Sequence, residues 1–161
     1  MLPRKHAAMD RSHYSVGEEW MNITTHGFGF VLAIFGLILM LVRSQTAAET
    51  ISVAIYGASL ALMFLSSAAY HACQNVDLRA VLRKVDHTAI YLLIAGSYTP
   101  FLLLSVGGLL GTIAMIVVWL IGIGGILFKV ISGHRYPKVG VATYAAMGWL
   151  AILLIYPIYQ S

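Results

Sequence analysis

The chain has 161 residues, 60% of them hydrophobic and 10% charged, with a net charge of +4. An ordinary soluble domain carries roughly 25% charged residues, and a chain this short must cover most of its surface with polar groups. The composition therefore excludes a soluble globular domain and points to an all-α integral membrane protein.

Residues 1–17 read as a cytoplasmic amino-terminal arm, and 18–161 as one transmembrane helical domain. Five apolar runs follow in chain order, Ile23–Val42, Ile51–Tyr70, Thr88–Leu104, Leu109–Ile131 and Val139–Tyr156. Crossing a hydrocarbon layer about 30 Å thick takes about 20 helical residues. Each run is predicted to be a helix, because a spanning segment must satisfy its own backbone hydrogen bonds. The alternation expected of barrel strands is absent. No small-residue cleavage site follows the first run, so no removable signal peptide is expected. Gly27, Gly29, Ala33 and Gly36 in the first span, and Gly122, Gly124 and Gly125 in the fourth, suit close approach of neighbouring helices. Pro100 removes a backbone donor and predicts a kink in the third span. The uncharged turn Ser105–Gly108 predicts a tight hairpin between the third and fourth. Cys73 is the lone cysteine, so no internal disulfide is possible, and it reads as a bystander.

The cations set the orientation. Arg4, Lys5 and Arg11 precede the first span; Arg79, Arg83 and Lys84 lie between the second and third; Lys129, Arg135 and Lys138 lie between the fourth and fifth. Only Arg43 falls in another connection. That is the positive-inside pattern with a cytoplasmic N-terminus. A nucleic-acid surface would gather its cations on one element, so no nucleic-acid partner is expected, and the partners are membrane lipids.

The polar residues then sort by depth. Glu18, Asn22 and His26 lie at i, i+4 and i+8 along one face at the start of the first span. Ser67 and His71 stack at i and i+4 at the end of the second, and Asp86 and His87 open the third. All three groups converge on the cytoplasmic edge. Singly, each has a plain structural reading: Asp86 as a helix N-cap, Glu18 and Glu19 as partners of the helix dipole, His71 as an interfacial histidine bonded to a carbonyl, and His87 as a side chain pointing to water. Jointly they mark a functional site, because ionisable residues within spans usually face the bundle interior. Metal binding suits the set, since zinc favours imidazole and carboxylate ligands and a catalytic site keeps one position open for water. His71 would be a metal ligand, Asp86 would orient or deprotonate the water, and Ser67 would hold His71 or the substrate. Glu18, Asn22 and His26 are accessory candidates.

At these residues the chain resembles the hemolysin III family, the bacterial branch of the progestin and adiponectin receptor (PAQR) membrane proteins. The carrying segments are "EEWMNITTHGFG" (Glu18–Gly29), "SSAAYHACQNVDLRAVLRKVDHTAIYLLIAGSYTPFLL" (Ser66–Leu103), "GGILFK" (Gly124–Lys129) and "MGWLAI" (Met147–Ile152). The resemblance implies a seven-helix bundle in the bacterial plasma (inner) membrane, of which this chain carries the first five helices. It also implies a zinc ion near the cytoplasmic face, held by a histidine matching His71 and by an H-x-x-x-H pair in the last helix. Ser67 and Asp86 match a serine and an aspartate beside that metal, and Glu18 and Asn22 match the first family motif. The H-x-x-x-H pair is absent here, so the chain is expected to be a piece of a longer protein.

Three functions follow from the resemblance. The complete bundle is a zinc-dependent hydrolase of membrane-lipid amides; or it is a non-enzymatic membrane-homeostasis or receptor-like protein; or it is a cytolysin, as the family name suggests. The chain has no amphipathic element suited to inserting into another cell's membrane, which speaks against the last.

Overall fold

A computed structural model of the chain describes residues 14–132 and 136–152, without the side chain of Pro137. Most of the expected amino-terminal arm, and the last part of the expected fifth span, lie outside the described residues. Five helices follow one another: α1 (Val16–Arg43), α2 (Ala47–Ala72), α3 (Val76–Pro100, prolonged by a π-helical stretch Phe101–Val106), α4 (Gly108–Ser132) and α5 (Pro137–Trp149). No strand occurs among the described residues. Four of the helices, α1 to α4, are long and apolar enough to cross a membrane. The fifth expected span is represented by only 13 described residues, or about 20 Å of helix.

Side-chain caps decide where the helices begin. Ser15 and Glu18 form a reciprocal capping box at the start of α1: the Ser15 hydroxyl accepts from the Glu18 amide, and the Glu18 carboxylate accepts from the Ser15 amide at 2.6 Å. Thr46 accepts from the Glu49 amide at the start of α2. The third helix departs from expectation. It begins at Val76, well ahead of Thr88, because the Asn75 side chain accepts from the amides of Asp77 and Leu78 at 3.1 and 3.0 Å. Asp86 is therefore not an N-cap but lies inside α3, and the link from α2 to α3 is only Cys73–Asn75.

Pro100 acts by widening the helix rather than stopping it. Lacking an amide hydrogen, it cannot bond the carbonyl one turn back, and the chain continues in π-helical form until the Gly107 amide bonds the Leu102 carbonyl at 3.0 Å. Gly107 and Gly108 then take φ of 59° and 56°, the left-handed region open to glycine. They form the expected tight hairpin into α4.

Packing between membrane helices depends on close contact rather than on the hydrophobic effect. The seam of α2 is built of small residues, with Ser52, Ser59, Ser66 and Ser67 buried. The hydroxyls of Ser52, Ser59 and Ser66 donate back to carbonyls of their own helix at 2.6–3.0 Å, so these buried donors are satisfied. Gly29 of α1 faces the Phe64 ring, and Gly125 of α4 faces the Tyr91 ring. Gly27, Gly36 and Gly124 meet nothing comparable, so only part of the glycine pattern reflects close packing. The core lies between α3, α4 and α5, in Tyr91, Ala95, Tyr98, Leu102, Val118 and Met147. Tyr98 donates to the Met147 carbonyl at 2.7 Å, and Tyr91 shares a 2.6 Å hydrogen bond with Thr143. By contrast, α1 packs along α2 and buries only Ala33.

Candidate functional site

One end of the bundle collects the start of α1, the end of α2, the start of α3, the end of α4 and the start of α5. We refer to it as the basic end, because Arg79, Arg83, Lys84, Lys129 and Lys138 all lie there. Its centre is a three-helix ionic cluster. His71 ends α2 and is 9% exposed. Its Nδ1 lies 2.6 Å from one carboxylate oxygen of Glu19 on α1. A carboxylate only accepts, so Nδ1 carries the hydrogen and Nε2 is left as the uncommitted nitrogen. The other Glu19 oxygen is paired with the Arg79 guanidinium of α3. Arg79 also donates to the Cys73 carbonyl at 3.1 Å and lies 4.7 Å above the Tyr70 ring, a cation–π contact. Tyr70 and Tyr14 flank the His71 ring at 4.8 and 5.3 Å between centroids. Beside the cluster opens a groove of about 580 Å³, whose lining includes the polar His71, Glu19, Arg79 and Gln74 and the apolar Trp20 and Ile23.

The residues expected from the sequence are not all brought together. His71 is at the centre, and Ser67 is buried one turn before it on α2. Asp86 is half-buried on α3, seven residues beyond Arg79, hence about 10 Å deeper and on nearly the same face. Asn22 is half-buried on α1. The His26 ring lies 6.2 Å from that of His71, and its Nδ1 is buried without a hydrogen-bond partner. Glu18 is exposed and engaged in the capping box. His87 is half-buried, with Nδ1 at 2.6 Å from the Arg83 carbonyl. Cys73 is a free, half-buried thiol.

The sequence reading missed Glu19 and Arg79. The pattern Ser15-x-x-Glu18 is a capping-box signature; it assigns Glu18 to the helix start and leaves Glu19 for the interior. Among the described residues no group of three or more His, Cys, Asp or Glu side chains could hold a metal ion. What they offer is a single histidine whose second nitrogen is held by a carboxylate. That is the way metal-ligating histidines are usually oriented, so His71 fits as one ligand of a zinc site and not as a complete one.

The sequence model of the family described as haemolysin-III related matches residues 14–161. The chain belongs to the haemolysin-III family. Its match to Hemolysin-3 of Bacillus cereus is 38% identical over 156 residues, covering 95% of this chain and 71% of that protein. The Hemolysin-3 homolog of Bacillus subtilis (strain 168) is 37% identical over 151 residues, covering 92% and 71%. The monocyte to macrophage differentiation factor of Homo sapiens is 32% identical over 143 residues, covering 86% and 60%. The haemolysin-III/PAQR relationship read from the motifs therefore holds. No solved structure matches the chain.

Proposed function

We propose that this haemolysin-III chain lies in the bacterial plasma membrane with its basic end in the cytoplasm, and that its complete bundle is a zinc-dependent hydrolase of membrane-lipid amides. The observation that carries this reading is the 2.6 Å contact of His71 Nδ1 with Glu19. It fixes the ring and turns Nε2 out as a ligand. Bound zinc would supply an activated water. The chain's own residues do the rest. Glu19 holds His71 and is itself held by Arg79. Ser67 lies one turn deeper, where it can support His71 or a substrate polar group. Asp86 is the base that would orient the attacking water or accept its proton. The groove beside His71, lined by both polar and apolar residues, suits a lipid whose amide lies at the membrane boundary. Hydrolysis adds water across the carbon–nitrogen bond and releases a carboxylic acid and an amine.

The test is elemental analysis of purified protein, on the 161-residue chain and on a form extended through any downstream reading frame. Zinc in stoichiometric amount, lost in His71→Ala, together with lipid-amide cleavage lost in Asp86→Asn, supports the reading. Zinc in neither form sinks it.

A second reading rests on a different feature of the same cluster. Glu19 is shared by His71 and Arg79, which closes three helices with no metal required. In a non-enzymatic membrane-homeostasis or receptor-like protein this lock would be the purpose of the cluster. Substitution of His71 would then lower stability while the protein's effect on the bilayer persists.

A further inference from the structure

On the opposite side of the basic end, Lys129 presents a problem in charge. It lies in the last turn of α4, where a lysine normally extends its ammonium past the helix end to water or headgroups. Here it is 6% exposed, enclosed between α3 and α5. Among the described residues it has no hydrogen bond and no ion pair. The charge that acts on it is Arg83 of α3, of the same sign. Among the described residues Asp86 makes no ion pair with it. Tyr144 has its hydroxyl hydrogen committed to the His87 carbonyl at 2.9 Å. A cation drawn largely out of water without a counter-charge is costly, and the Lys129 ammonium is not among the polar atoms sealed from solvent, so a partner can reach it from outside.

Gly140 of α5 stands opposite the ammonium, and a Cβ there would lie 3.8 Å from Lys129 Nζ and 3.9 Å from Tyr144 Oη. On the adjoining face of α5 an apolar groove of about 400 Å³ begins at Lys138 and runs past Val141, Ala142 and Ala145. Cations at the helix ends, with an apolar groove on α5 that begins at Lys138, are complementary to an anionic headgroup and its acyl chain. Basic recesses between membrane helices are recognised settings for such headgroups.

We propose that the basic ends of α3, α4 and α5 form a binding site for the phosphate of an anionic phospholipid, with Lys129 as its principal cation, Arg83 and Lys138 flanking it, and the α5 groove taking an acyl chain. This site is separate from the His71 cluster and stands whether or not that cluster binds metal.

The test follows the thermal midpoint of the purified full chain in a neutral detergent on addition of phosphatidylglycerol, phosphatidylcholine or inorganic phosphate. A ligand that binds only the folded state raises the midpoint. We expect phosphatidylglycerol to raise it by about 4 °C and the other two to leave it unchanged. Lys129→Met should abolish the shift, while Lys129→Arg and the exposed-site control Lys84→Met retain it. No shift in the wild type, or a shift that survives in Lys129→Met, overturns the proposal. An equal shift with inorganic phosphate overturns the lipid assignment and leaves a free-anion site. Should Lys129→Met fail to fold, native mass spectrometry of the wild-type protein decides. Retention of phosphatidylglycerol over phosphatidylcholine through delipidation upholds the site, and equal retention overturns it.

Discussion

Glu19 holds the Nδ1 of His71 at 2.6 Å across the α1–α2 interface. The two residues are 52 positions apart in the chain, and the contact is completed from a third helix by Arg79. Glu18, the next residue back, is exposed and belongs to its own helix cap. Neighbouring glutamates thus have unrelated roles, one local and one tertiary.

Their substitutions should separate cleanly. Glu19→Ala removes a carboxylate serving two partly buried cationic or hydrogen-bonding groups. Removing one member of a fully buried pair costs about 3–5 kcal/mol; allowing for the partial exposure of this one, we expect a loss of about 2 kcal/mol. Glu18→Ala disturbs only the capping box and should lower the unfolding midpoint less. Chemical denaturation of the two variants in mixed micelles checks the order. Equal losses would sink the tertiary role of Glu19.

Tautomer offers a test of the same contact that does not depend on stability. With Nδ1 donating to Glu19, His71 should hold its hydrogen on Nδ1 at neutral pH. Nitrogen NMR of ring-labelled protein should show that form in the wild type and a mixture in Glu19→Gln. An Nε2-protonated ring in the wild type would contradict the proposed ligand geometry.

His26 should tolerate loss of its polarity. Its Nδ1 is buried without a partner, and replacing an unsatisfied buried polar group by an apolar one of similar shape is often neutral or stabilising. His26→Phe should therefore change stability by less than about 1 kcal/mol and leave zinc content as in the wild type. Loss of zinc in this variant would make His26 a ligand.

Glycine substitutions in α4 should differ sharply between adjacent positions. A Cβ at Gly125 would run into the Tyr91 ring, whereas one at Gly124 meets nothing within 4 Å. Tyr91 is fully buried and tied to Thr143, so it cannot yield easily. Gly125→Ala should cost about 1–3 kcal/mol from overpacking. Gly124→Ala should be neutral or slightly stabilising. Unfolding midpoints of the pair decide the matter.

The purified protein should not lyse red cells when added from outside. Its described helices are long apolar spans packed on one another, not amphipathic segments awaiting a target bilayer. Haemoglobin release at micromolar protein, against a detergent-only control, is the measurement. Lysis that tracks the protein would restore the cytolysin reading.

The parts of the structure legible in the sequence were those governed by burial and by solvation of charge. The apolar runs fall within α1, α2 and α4, though α1 begins at Val16 and α2 at Ala47, ahead of the runs that start at Ile23 and Ile51, and the cations marked the basic end. His71 stood out because an imidazole at that depth has few cheap environments. Local hydrogen bonding was harder to see. The segment Val76–His87 is polar enough to read as a loop, yet Asn75 caps it into helix with Val76, Leu78, Val81 and Val85 on its exposed surface. An i, i+4, i+8 line through Glu18, Asn22 and His26 is true of any helix and does not say which face turns inward. Ser15 decides that, by taking Glu18 for the cap. The buried position of Lys129 was illegible for another reason: a lysine at a helix end looks the same in sequence whether it reaches outward or is enclosed.

α1 packs along α2 and makes few contacts with the other helices. Glu19 therefore reaches Arg79 of α3 from a helix otherwise joined to the bundle through α2. That ionic contact is a strut between the first and third helices, and its loss would free the end of α1 without opening the α1–α2 interface.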